Sequence, residues 1–182
     1  MGFLSQGGVT VLFSVAGLVL LAAAVLPMTH WASFSGSFNN TTLTDTCSLW
    51  RFCMSTTVNG TTTTECASAD RLGSGMIQRG GAIAGVILAM LFTLVSLIPV
   101  CCRKRGVIVV LQLLAVICSI GGIVAFCFFK TMALDKVADA TFKYQHGLYL
   151  TGVAAGAGLL AMLGAYWVKP SDDYRPVGPQ ND

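Results

Sequence analysis

Apolar residues gather into four long runs, at 9–27, 80–102, 107–129 and 148–168, and none of the four holds an internal Asp, Glu, Lys or Arg. A helix needs about 20 mostly apolar residues to cross the hydrocarbon core of a bilayer. The pattern therefore predicts an α-helical membrane protein, a bundle of four transmembrane helices forming one domain over 1–182. Polar positions fill the gaps: a long loop at 28–79, a tight turn from Cys101 to Gly106, a short loop at 130–147 and a tail at 169–182. The first run is read as a retained span and not as a signal peptide. Ala22-Ala23-Ala24 is rich in small residues, but Met1 to Gly8 lacks the Lys or Arg of a signal n-region.

Composition agrees with that pattern: 54% of the residues are apolar and only 10% are charged. Such a balance suits a bundle solvated by lipid better than a water-soluble core. Within the long loop, β-branched and Thr-rich segments flank Val58-Asn59-Gly60, which reads as two strands joined by an Asn-Gly turn.

Four spans put both termini on one side, and basic residues do not choose the side. Arg103, Lys104 and Arg105 crowd the tight turn, while Arg51, Arg71, Arg79, Lys130, Lys136 and Lys143 lie opposite. Sequons are more decisive, because those at Asn39, Asn40 and Asn59 all fall in the long loop and glycans are added on the lumenal side. The expectation is a multi-pass plasma-membrane protein with an extracellular long loop and cytoplasmic termini, glycosylated at Asn59 in preference to Asn40 or Asn39. Cys47, Cys53 and Cys66 lie in the same loop, where an oxidising compartment permits a disulfide. Three pairings are open, and a Cys53–Cys66 bridge would staple the predicted hairpin. Cys47 would then stay free or reach Cys127 at the outer end of the third span. Cys101 and Cys102 sit beside the Arg103-Lys104-Arg105 cluster, a setting that suits palmitoylation as well as plain burial of a small hydrophobe.

Trp31, followed by Ser48-Leu49-Trp50-Arg51-Phe52-Cys53 and then Cys66, resembles the Trp, Gly-Leu-Trp, Cys, Cys signature of the claudin superfamily. That superfamily includes the peripheral myelin, epithelial membrane and lens fibre tetraspan proteins. Arg79 at the mouth of the second span and the Lys143 to Tyr149 segment entering the fourth are similar too, and the likeness covers nearly the whole chain. Ser48 replaces the usual Gly, the gap from Cys53 to Cys66 is longer than usual, and Cys47 is extra. The tail ends Gln180-Asn181-Asp182, without the hydrophobic terminus that many claudins offer to PDZ scaffolds. Amastins offer a weaker resemblance. What the claudin resemblance implies is a small extracellular antiparallel sheet, built mainly from the first loop with one strand from the second. Trp31, Trp50 and the Cys53–Cys66 disulfide would pack together as its core, with Leu49 in the motif and with Phe142 and Tyr144 facing it.

Glycines and alanines at spacing four, Gly81 and Gly85 in the second span and Gly152, Ala154, Gly156 and Gly158 in the fourth, predict close helix contacts. No catalytic constellation is legible around His30 and His146, the only histidines, and no midplane charge suggests transport. The chain is expected to be non-enzymatic, without cofactor, metal, nucleic acid or small-molecule substrate. Its expected partners are the lipid bilayer and either further copies of itself or another membrane protein in cis or trans. Two classes follow from the resemblance: adhesion and junction or membrane-domain organisation through the extracellular loops, or an auxiliary subunit of a channel, similar to stargazin and the calcium-channel gamma branches. An amastin-like surface glycoprotein is a further alternative. A paracellular pore would use Glu65, with Asp45 and Asp70 nearby, although a solvated surface explains these charges as well.

Overall fold

The computed structural model describes residues 7–38, 41–68, 76–102, 104–134 and 141–166. Asn39, Asn40, Asp70, Arg71, Arg103 and the tail from 167 lie outside the described residues, as does the side chain of Arg79. Among the described residues four helices and five strands follow in the order α1 (Val9–Val25), β1 (His30–Phe38), β2 (Thr41–Ser48), β3 (Arg51–Val58), β4 (Thr61–Ser68), α2 (Met76–Cys101), α3 (Arg105–Leu134), β5 (Thr141–Tyr144) and α4 (His146–Ala165).

Among the described residues three helices carry stretches long and apolar enough to cross a membrane: Gly80–Cys101, Arg105–Phe128 and His146–Ala165. The first apolar run is shorter as a helix than as a sequence pattern. Pro27 disfavours the helical conformation of the residue before it, and Leu26 turns extended with ψ 139°, so α1 stops at Val25 after 17 residues. At about 1.5 Å per residue α1 is roughly 25 Å long.

The helices form a ring in which α1 packs on α4 and α2, and α3 packs on α2 and α4. Small residues set the closest approaches. A Cβ placed on Gly85 would lie 2.8 Å from the Cys118 carbonyl oxygen and from Gly122 of α3, so the α2–α3 crossing is backbone against backbone. In α4 the contact stripe is Ala154, Ala157, Gly158 and Ala161, all buried, with Gly17 of α1 against Ala154 and Ala157. Gly152 and Gly156 do not take the packing role expected of them. They lie on the exposed face of α4, with nothing within 4 Å of an added Cβ.

One fully buried amide interrupts the apolar interior. Gln112 of α3 donates through Nε2 to Ser14 Oγ of α1 at 2.8 Å and to Ser96 Oγ of α2, and its Oε1 accepts no bond. Interhelical bonds of this kind average about 0.6 kcal/mol, so the cluster fixes register more than it adds stability.

Beyond one end of the bundle the strands form a single antiparallel sheet in the order β4-β3-β2-β1-β5. Four strands come from the first long polar segment and one from the second. Asn59 (φ 49°) and Gly60 (φ 83°) form the two-residue turn between β3 and β4, the left-handed pair that Asn-Gly adopts readily.

Candidate functional site

Register gives the sheet two chemically distinct faces. Cys66, Cys53, Thr46, Ser33 and Lys143 stand in one row across all five strands, and Thr64, Ser55, Thr44 and Ser35 in the next, so this face is hydroxyl-rich. The opposite face carries Ala67, Phe52, Cys47, Ala32 and Tyr144 in one row and Glu65, Met54, Asp45 and Phe34 in the next. Phe34 and Phe52 stack there with centroids 5.9 Å apart. The alternation Ala32-Ser33-Phe34-Ser35 is a signal from which the sequence reading, which did not draw this division, could have found it.

The disulfide joins Cys53 and Cys66, which face each other directly in the β3–β4 ladder with Cα atoms 4.1 Å apart. Cys47 and Cys127 both stand outside any disulfide, so the bridge between them considered above does not form. Cys47 is buried in the apolar core with its Sγ 3.5 Å from the Ser48 carbonyl oxygen. Cys127 lies against Tyr144 instead. Burial, then a hydrogen bond and charge interaction with Cys127, pushes the Tyr144 hydroxyl above its ordinary pKa of 10.0.

The tryptophans attach the sheet to the helices. A helix leaves its last four carbonyls without intrahelical donors, and here three of those in α1 find side-chain donors. Thr29 Oγ1 donates to the Ala23 oxygen at 2.6 Å, Trp31 Nε1 to the Ala24 oxygen at 2.9 Å, and Trp50 Nε1 to the Val25 oxygen at 2.6 Å. The Thr29 backbone N–H serves the Leu26 oxygen at 2.9 Å. Trp31 and Trp50 thus cap one helix from two different strands' ends.

Trp31 is 0% exposed and packs on Phe126 of α3 with centroids 5.0 Å apart. Gly147, in the first turn of α4, lies so close that any Cβ there would overlap the Trp31 indole. Gln145 closes the arrangement, its backbone N–H donating to the Trp31 carbonyl at 3.0 Å and its Nε2 to Ser33 Oγ at 2.7 Å. The expected core of Trp31, Trp50 and the disulfide is therefore not a separate module, and Cys53 and Cys66, on the opposite face of the sheet, do not belong to it. Trp31, Ala32, Cys47 and Leu49 belong to one cluster with Leu21, Ala24, Val86, Phe126 and Ala154 of the bundle.

Ser48, where the resembled signature has Gly, organises the turn that presents Leu49 and Trp50. Its Oγ accepts from the backbone N–H groups of Trp50 at 3.3 Å and Arg51 at 2.9 Å, and donates to the Arg51 carbonyl at 3.1 Å. Leu49 is buried and Trp50 half-buried.

Two charges considered together from sequence part company. Glu65 is exposed on β4, whereas Asp45 is only 5% exposed, between Phe34 and Met54, with Oδ1 accepting no bond. Burial pushes its carboxyl above the ordinary 3.8. Asp45 is thus not a solvated loop charge.

Asn59 stands exposed at the tip of the β3–β4 hairpin. At the far end of the bundle Cys101, Cys102 and Lys104 are exposed, and the Arg105 guanidinium sits 4.0 Å from the centre of the Tyr166 ring. Among the described residues no three His, Cys, Asp or Glu side chains converge as metal ligands would. No model of a known protein family matches the chain, and no curated protein matches it.

Proposed function

We propose that this chain is a four-span plasma-membrane protein of claudin-like architecture, non-enzymatic, whose work is cell adhesion or the organisation of a junction or membrane domain through its sheet. The sheet stands outside the cell and both termini lie in the cytoplasm. In this reading α1 is the fourth span, since 17 residues is the lower limit for crossing a bilayer.

The observation that carries the proposal is the clamp at the end of α1. Two indoles, a Thr hydroxyl and a shared core fix a broad polar sheet to apolar helices without a flexible stalk. A rigid platform of this kind meets a partner with little ordering cost, which suits repeated lateral or opposing contacts. Asn59 at the exposed hairpin tip would take a glycan, and exposed Cys101 and Cys102 beside Lys104 would take palmitate. In a pore version of this reading Glu65 is the charge available, because Asp45 is buried.

Expression in cells that lack junctions tests the proposal, with freeze-fracture imaging and crosslinking. Continuous strands or plaques at contacts between expressing cells are the expected result. Dispersed particles that crosslink only to a channel subunit would overturn it and favour the auxiliary role.

A further inference from the structure

An open cleft of about 570 Å³ lies where the sheet meets the end of α1, lined by Pro27, Trp50, Arg51, Cys66 and Ala67. Its size falls in the roughly 300–1,000 Å³ range of small-molecule sites. Its position is informative. The Trp50 indole in its wall is bonded to Val25, the last residue of the apolar helix, so with α1 read as a span the cleft would open at the level where hydrocarbon gives way to headgroups. Beside Pro27, Leu26 is 56% exposed and Met28 is 88% exposed, an apolar flank that water would disfavour.

Arg51 supplies the polar end of the site. Its backbone N–H and carbonyl are both held by Ser48 Oγ, at 2.9 and 3.1 Å, and the adjoining strand is stapled by the disulfide, so the side chain starts from a fixed point. No carboxylate of the described residues shares its face of the sheet. Arg51 alternates with Cys53 on the hydroxyl-rich face, while Glu65 and Asp45 occupy the other. An exposed guanidinium that faces no carboxylate among the described residues, beside an indole and an apolar flank, matches a phosphodiester carried on acyl chains.

We propose that this cleft binds the headgroup of an outer-leaflet phospholipid, with the Arg51 guanidinium on the phosphate and the acyl chains descending past Leu26 along α1. The inference rests on the membrane reading proposed above, so its test separates the two. The full chain is purified in detergent from membranes and examined by native mass spectrometry with dioleoylphosphatidylcholine and with dioleoylglycerol, which has the same chains and no phosphate. Wild-type protein should retain the phosphatidylcholine roughly tenfold better, the worth of one charge-assisted hydrogen bond. Arg51→Gln should abolish that preference and Arg51→Lys should keep part of it. Lys143→Gln, which removes an exposed cation on the opposite edge strand, should leave it unchanged. Equal retention of the two lipids by membrane-extracted wild-type protein, which needs no variant, would overturn the site alone. So would a loss from Lys143→Gln matching that from Arg51→Gln. Release of the protein from membranes by alkaline carbonate would overturn the membrane reading and the site with it.

Discussion

Replacing Trp31 by Phe keeps an aromatic ring against Phe126 but removes the N–H that caps Ala24. The carbonyl left behind is buried with a fully buried partner position, so water cannot serve it without opening the core, and the unmet group costs about 1–3 kcal/mol. The smaller ring leaves a void worth about 1 kcal/mol more. Trp50→Phe removes a bond of similar length from a half-buried site that water can reach, which limits its cost to about 0.5–1.5 kcal/mol. The expected order is therefore Trp31→Phe well above Trp50→Phe, although the Trp50 bond is the shorter, at 2.6 Å against 2.9 Å. Cys47 offers the readout, being 2% exposed in the core that joins sheet to bundle. In a background where Cys101, Cys102, Cys118 and Cys127 are replaced, the labelling rate of Cys47 by a thiol-reactive fluorophore in detergent reports opening of that core. A loss of about 2 kcal/mol raises the open population roughly 30-fold, and Trp31→Phe should accelerate labelling by about that factor. Wild-type labelling in Trp31→Phe, or a larger effect from Trp50→Phe, would refute the capping argument.

Further substitutions probe other parts of the fold. Gly147→Ala should destabilise by about 1–3 kcal/mol despite Ala's better helix propensity, because the added carbon meets the Trp31 ring; combined with Trp31→Phe the two costs should be less than additive in the same labelling assay. Asp45 makes stability depend on pH in an unusual direction. Its folded pKa is raised above 3.8, so the folded state binds the proton more tightly and stability rises as pH falls from neutral toward that value. Asp45→Asn should raise the thermal midpoint at pH 7 and flatten this acid gain; a midpoint that falls at pH 7 would contradict it. Gln112→Leu should change stability by less than about 1 kcal/mol, since Ser96 Oγ still donates to the Thr93 oxygen at 2.6 Å and the orphaned Oε1 disappears. A thermal midpoint lowered by more than 10 °C or so would show that the amide holds the bundle together.

Local chemistry was legible in the sequence wherever it decided the structure. The Asn59-Gly60 turn and the hairpin around it follow from residues within a few positions of each other, and that hairpin brings Cys53 opposite Cys66, 13 residues on, one of the three pairings the sequence left open. Helix ends were less legible, because the apolar run of the first helix continues through Leu26 and Pro27 while the backbone does not. Long-range polar contacts left no local trace. The bond from Trp50 to Val25 joins residues 25 apart and that from Gln112 to Ser14 residues 98 apart, and a hydropathy profile records neither. Gly152 and Gly156 show the limit of spacing arguments: a four-residue repeat defines a face of a helix, but not which face meets a neighbour. Asp45 shows it for strands. A charge in a Thr-rich loop reads as solvated until pairing with Phe34 and Met54 places it on the apolar face.

Contact enrichment in mixed cultures tests the proposed role most directly. Non-adherent cells expressing the chain with a cytoplasmic fluorescent tag are mixed with non-expressing cells. The account predicts accumulation at borders between two expressing cells, weakened by Trp31→Phe in proportion to its loss of folded surface protein. An even distribution around every cell, with normal surface levels, would contradict it.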